Sequence, residues 1–194
     1  MLCGWKKPRL SKSSVTKPQT KRGVDYGYVS TTLVSNMLAL PQVASPARTL
    51  HGTKRVAMGT IALAAGDLSA SDTVMLAPIP SNAAIVSIKL FNDDLDSGTT
   101  NTCDVGIYSE SDGTFTALDD DAYASAITDL RAAVGGVGTD VTFEARNINT
   151  LGQRVWEDAG QSEDPGGYLF IGLLFDAAGD TAGDLSFVIE YVVN

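Results

Sequence analysis

Residues 184–193 read Asp-Leu-Ser-Phe-Val-Ile-Glu-Tyr-Val-Val, and every second side chain from Leu185 through Phe187, Ile189 and Tyr191 to Val193 is apolar. Successive side chains of an extended chain point to opposite faces, so this parity predicts a β-strand with one face in a core. The same period recurs upstream. Across Arg55–Leu63, Val56, Met58 and Thr60 alternate with Ala57, Gly59 and Ile61. Thr73–Ala77 reads as a short strand closed by Pro78 and Pro80. In Ala83–Phe91, Ile85, Ser87, Lys89 and Phe91 alternate with Ala84, Val86, Ile88 and Leu90, and Cys103, Val105 and Ile107 share one face of the next run. Val141, Phe143 and Ala145 alternate within Asp140–Asn147, and Gly167–Phe175 is continuous enough in apolar residues for a strand buried on both faces. Gly/Asp/Ser/Asn turns at Asn92–Asn101, Ser109–Gly113 and Ala177–Gly183 separate about seven or eight such strands.

One segment has a different rhythm. Asp119–Ala133 is expected to be a helix, with Asp119, Asp120 and Asp121 complementing the dipole of its first turn and Ala122, Ala126 and Leu130 as its inward stripe. Gly135, Gly136 and Gly138 would end it in a flexible linker. Many short strands with one helical excursion predict a mainly β protein, an antiparallel β-sandwich of jelly-roll-like form with one short helix. Strand order is not legible from the pattern.

Charge divides the chain. Met1–Arg55 carries ten Lys or Arg against one acid, Asp25, a net +9, whereas the other 139 residues carry four bases and 22 acids, a net −18. A split of this kind marks a tail that docks on something else. Residues 1–54 are therefore read as a basic N-terminal arm and linker, and 55–194 as an acidic β-sandwich body large enough for one ordinary core. The arm's Lys6, Lys7, Arg9, Lys12, Lys17, Lys21 and Arg22 stand without an acid among them. In the linker, Thr31–Leu40 suits either two or three helical turns before Pro41 or an extended strand. Its Leu33, Met37 and Leu40 need burial that a neighbouring subunit would supply.

Several functions find no residues. There is no run of about 20 apolar residues to span a membrane. Residues 1–22 lack the apolar stretch of a secretory signal, and Pro8 and Pro18 interrupt any amphipathic presequence helix. Cys3 and Cys103 do not form a disulfide framework. The single histidine, His51, lies on the linker, and neither a phosphate loop nor a His/Cys metal spacing is present, so no enzyme and no cofactor are expected. Asn92, Asp94 and Asp96 place oxygens at alternate positions as a Ca²⁺ loop does. However, Gly98 is one place late and Cys103 stands where the closing Glu would be, so no metal is assigned to the Asp93–Asp94–Asp96 turn. The basic arm would bind phosphates, but only Trp5 is interleaved for stacking and the body repels nucleic acid; an acidic protein surface is the expected partner.

Residues 61–113, IALAAGDLSASDTVMLAPIPSNAAIVSIKLFNDDLDSGTTNTCDVGIYSESDG, resemble small virion structural proteins of tailed bacteriophages. In that pattern a strand precedes a DL…SD turn, a proline-bounded strand follows, and a DDLDSG…DVGIY hairpin comes next. LDDDAYASAITDLR (118–131) and VWEDAGQSEDPGGYLFIGLLFDAAGDTAGDLSFVIEYVV (155–193) continue the order. Within that group the chain looks most like a capsid decoration, or cement, protein. The resemblance implies a β-sandwich or jelly-roll homotrimer that binds and reinforces the major capsid protein shell, in a virion assembled in the host cytoplasm. The alternative is a tail or head-fibre component that binds a host receptor or glycan, for which Trp156 and Tyr123 are the candidate loop aromatics. The capsid-anchoring role of the arm comes from its charge, not from the resemblance.

Overall fold

The structure is a computed structural model and describes residues 30–193. Two short helices, α1 (Thr32–Leu38) and α2 (Ala47–Leu50), precede β1 (Thr53–Leu63), β2 (Thr73–Pro80), β3 (Ala84–Asn92), β4 (Thr102–Ser111), β5 (Thr114–Ile127) and β6 (Val134–Asp140). A one-turn helix, α3 (Val155–Asp158), leads to β7 (Tyr168–Ala177) and β8 (Gly183–Val193). No helix among the described residues is long and apolar enough to cross a membrane.

Strand order is β1-β8-β3-β6 in one sheet and β2-β7-β4-β5 in the other, and every pairing is antiparallel. Only β4 and β5 are consecutive neighbours in a sheet. Every other connection passes between sheets, which is the jelly-roll arrangement of the β-sandwich. The inner faces meet in one core that includes Leu63, Ile79, Ile88, Val105, Ile171 and Phe187. Alternation in β8 and β4 falls as the sequence predicts: Leu185, Phe187 and Ile189 are buried, as are Cys103, Val105 and Ile107.

β1 and β8 bring distant parts of the chain together, with Thr53 opposite Val193 and Leu63 opposite Gly183. Here Gly59 faces Phe187, and a Cβ on Gly59 would lie 3.1 Å from that ring. The missing side chain is what lets a phenyl group fill the core beside an edge strand.

Four expectations need correction. Asp119–Ala133 is not a helix: its first part belongs to β5, followed by a 3₁₀ turn at Asp129–Arg131. Bulges are the reason. Val105 and Ile107 of β4 pair with Ala124 and Asp119, so two steps on β4 answer five on β5, and the extra residues erase the period of two. The inward side chains are Tyr123, Ile127 and Leu130, while Ala126 is exposed. Second, Gly135, Gly136 and Gly138 are not a linker but lie within β6, and Asp140–Asn147 is irregular after its first residue. Third, β2 does not stop at Ala77: Pro78 sits inside it and Pro80 is its last residue, which is tolerated because β2 is an edge strand, paired among the described residues only with β7. Fourth, β7 buries Leu169, Ile171, Leu173 and Phe175 on one face but only half-buries Phe170 and Leu174 on the other; β4 is the strand continuously buried, from Cys103 to Tyr108. In β3 a bulge after Ile85 shifts the core parity, so Ile85, Ile88 and Leu90 all point inward while Val86 turns out.

Phe187→Ala is expected to lower unfolding free energy by about 3–5 kcal/mol, as other large-to-small core changes do. Urea unfolding measures it, and a loss below about 1 kcal/mol would show that the Gly59–Phe187 contact does not hold the two chain-distant strands together.

Candidate functional site

The linker is helical at α1. Thr31 caps it, its hydroxyl accepting from the Val34 N–H at 3.5 Å, and the helix ends before the Leu40–Pro41 bond. The Asn36 amide donates to Ser45 Oγ at 3.3 Å, folding the linker on itself, and Arg48 Nε ties it to the body by donating to the Gly152 carbonyl at 2.8 Å. Between α1 and the body lies a groove of about 810 Å³ lined by Leu33, Asn36, Arg48, Val86, Leu151 and Val192 among others. Among the described residues, nothing covers the linker's other side. Met37 is 67% exposed, Leu38 74% and Leu40 98%, with Ile148 and Leu151 also exposed on the body's loop. Apolar side chains grouped this way mark a contact surface more often than scattered ones do.

Beneath the groove the body is held by a buried charge. Arg146, in the irregular stretch after β6, is 6% exposed. Its Nη2 lies 2.8 Å from Asp158 Oδ2 on α3 and donates to the Thr150 carbonyl at 3.2 Å, while Nη1 donates to the Ile85 carbonyl on β3 at 3.2 Å. The guanidinium stands 5.5 Å from the ring centroids of both Tyr123 and Phe143, and the Tyr123 hydroxyl donates to Asp158 Oδ2 at 3.2 Å. This cluster fixes the loop that carries Leu151 and Gly152, and through Gly152 it anchors Arg48.

The far sheet presents the acidic side. Where β5 bulges, the backbone of Asp119 and Asp120 crosses Gly106 so closely that a Cβ there would overlap it. Asp119, Asp120 and Asp121 hold one oxygen each within 4.8 Å of one another, and burial, then Asp121, push the Asp119 carboxyl up. Ala126 adopts φ 52°, and Asp104 Oδ1 accepts its otherwise unpaired N–H at 2.6 Å. Burial pushes the Asp104 carboxyl up to about 6, with Asp176 acting in the same direction.

The other acidic turn is committed to its own loop. Asp96, 3% exposed, accepts from the N–H groups of Gly98, Thr100 and Asn101 at 3.3, 3.0 and 2.9 Å. Asp94 accepts from the Asp96 N–H, and Asp93 from the Asp184 N–H. The Asp93–Asp94–Asp96 turn is thus a set of staples for irregular backbone.

Of the residues singled out from sequence, Leu33 is half-buried in the groove while Met37 and Leu40 project from the linker. The arm residues Lys6, Lys7, Arg9, Lys12, Lys17, Lys21 and Arg22 lie outside the described residues. Tyr123 is fully buried rather than displayed on a loop, and Trp156 is half-buried against the core. Arg146, Asp158 and Asp104 gave no motif. The one available signal was an arginine in an alternating stretch (Val141–Asn147) of a body that holds only four bases after Arg55.

No protein-family model matches the chain, and no curated protein matches it either. Solved structures do. A chain in the capsid of Ralstonia phage GP4 is 21% identical, covering 78% of this chain and 91% of that one, with a TM-score of 0.51. A chain of the cyanophage Pam1 capsid asymmetric unit is 17% identical, covering 78% and 93%, with a TM-score of 0.46. One from the acidic stable capsid of Helicobacter pylori bacteriophage KHP30 is 12% identical, covering 74% and 90%, with a TM-score of 0.40. The first of these likenesses shows a shared fold.

Acidity should stabilise this fold. Burial pushes Asp158 up to about 6 despite the opposing pull of Arg146, as it does Asp104, and both lie above the ordinary value of 3.8. The folded state therefore holds protons that the unfolded chain has released. That stabilisation is complete below about pH 4 and is lost as pH rises through about 6. The urea midpoint is expected to fall between about pH 5 and about pH 7.5, and to fall less in Asp104→Asn, which keeps an acceptor for Ala126 but carries no charge. An identical pH response in the variant would remove Asp104 as a source.

Proposed function

We propose that the chain is a virion structural protein of a tailed bacteriophage and acts as a capsid decoration (cement) protein, binding and reinforcing the shell of the major capsid protein. The observation that carries this reading is the jelly-roll body shared with a chain of a phage capsid, together with the uncovered apolar ridge of its N-terminal linker. A rigid sandwich with a sticky strap suits a protein whose task is to hold neighbouring subunits. The proposed role is structural and not enzymatic, a reading supported by the exposure of His51 at the end of α2 and by buried carboxylates that serve backbone amides or Arg146.

In this reading the basic arm runs over an acidic shell surface, and Met37, Leu38 and Leu40 are buried against a neighbour. An extended arm contacts several subunits at the cost of ordering entropy on docking. β7 lies inside a sheet, between β2 and β4, so in this reading contact with neighbouring subunits on the shell runs through the linker. The fibre alternative loses its two aromatics, since Tyr123 is buried and Trp156 is half-buried.

Particles lacking the protein provide the test. Removing residues 1–22 is expected to leave the body folded, because β1 begins at Thr53, but to reduce the copies bound at low salt. The difference should narrow as salt rises, since exposed charges are screened beyond about 10 Å at 0.1 M. Met37→Asp with Leu40→Asp should reduce binding at both salt levels. Equal binding by all three proteins would remove arm and linker from the anchoring mechanism, and a copy number of only a dozen or so per particle would speak for a fibre.

A further inference from the structure

A jelly roll leaves four sheet edges, and each exposes a row of backbone N–H and C=O groups able to pair with another strand. Three of them are blunted here. β2 carries Pro78 and Pro80, β5 is bent by bulges and carries Asp119, Asp120 and Asp121, and β6 is seven residues long with three glycines. The fourth, β1, has neither a proline nor a bulge, and its two charges, Lys54 and Arg55, stand together at one end, leaving Val56–Leu63 without any. It runs for eleven residues without a proline or an acid; among the described residues it pairs only with β8, and no other residue hydrogen-bonds to its backbone. Its side chains are uncovered as well: Met58 is 69% exposed, and Val56 and Ile61 are exposed with it.

We infer that β1 is the pairing edge for a second copy of this chain, joining two four-stranded sheets antiparallel about Met58. The strand's own sequence selects this occupant. Centred on Met58, antiparallel pairing sets Met58 of one copy against Met58 of the other, Val56 against Thr60 and Lys54 against Ala62. On the other face it sets Ala57 against Gly59 and Arg55 against Ile61. No like charges stand opposite, and the cations separate to the two ends. A parallel partner would set Lys54 and Arg55 beside their own copies, and a strand drawn from residues 1–22, with seven Lys or Arg and no acid, would bring further cations to the same place; directly opposed like charges destabilise a strand pair. The closed twofold contact uses one patch on both subunits. This inference rests on the fold alone and not on the shell-binding reading.

The test uses the full chain in solution. Light scattering over a concentration series is expected to show a dimer. Met58→Asp and Met58→Lys each set like charges across the axis and should weaken the dimer at least tenfold with the circular dichroism of the fold unchanged, while mixing the two variants should restore it. Separately, in a Cys3→Ser background, Met58→Cys should give a disulfide-linked dimer on mild oxidation, because directly opposed cross-strand residues lie near disulfide reach. Val137→Cys on β6, 84% exposed, should not. Cys103 is buried and stays silent. A monomer throughout, an assembly unchanged by both charge variants, failure of the mixture to recover, or equal crosslinking at Val137 would each overturn the proposal.

Discussion

One guanidinium holds together the pieces on which the candidate site stands. Arg146 reaches β3 through the Ile85 carbonyl, α3 through Asp158, the loop through Thr150, and β5 through the ring of Tyr123. The geometry is selective: Tyr123 reaches this point because extra residues in β5 bulge over Gly106, and the bulge exists because β4 has no side chain there. Burying the pair costs desolvation, which its Coulomb attraction and extra hydrogen bonds offset. Removing one partner of such a pair typically costs about 3–5 kcal/mol, because the other charge is left buried and alone, whereas an apolar replacement of both can be neutral. The cluster's contribution is therefore best seen as position. Without it, the loop bearing Gly152 keeps only its backbone hydrogen bonds, and the hold that Arg48 gives the linker weakens with it.

The division of labour between the two ends of the charge distribution follows from the same arrangement. The described linker and the start of β1 contribute Arg48, Lys54 and Arg55 with no acid, whereas the far sheet gathers Asp104, Asp119, Asp120, Asp121 and Asp176. Lys54 pairs with Glu190 at 2.7 Å, but both are exposed enough that the bridge adds little stability. What the asymmetry provides is orientation. A surface of either sign would select one face of the molecule, and the apolar ridge lies on the basic side. The mutually repelling carboxylates on the other side favour contact with water, and the elevated proton affinity of Asp104 and Asp119 is the cost of burying part of that group beside a bulged strand.

How much of this was legible depended on whether a residue's neighbours in sequence were also its neighbours in space. β8 and β4 keep strict parity along their core faces, so their alternation survives in the sequence. β5 was lost because bulges replace parity with a spacing that mimics a helix, and three aspartates strengthened the impression. The bulge in β3 hid in a run apolar at both parities. Pro78 and Pro80 looked like stops because the edge position that tolerates them is a property of the sheet. Strand order was beyond reach, since Thr53 meets Val193 and no local signal spans that separation. At the site, the exposed linker residues Met37 and Leu40 were readable as apolar side chains in a polar neighbourhood. Arg146 and Asp158 were not, because a buried ion pair is spelled with the same letters as a solvated one.

The opposition of Thr53 and Val193 makes the body a nearly closed ring. The strand that leaves the linker and the strand that ends the fold lie side by side, in neighbouring positions about 5 Å apart for a paired strand. A short turn could join them, and a new opening at the exposed β4–β5 hairpin would then give a circular permutant with every strand pair retained. Read the other way, anything fused after β8 emerges next to α2 and the linker and would compete for whatever surface the linker contacts. The β4–β5 hairpin, whose Asp112 and Gly113 take positive φ values at an exposed tip, offers a more remote place to carry a passenger.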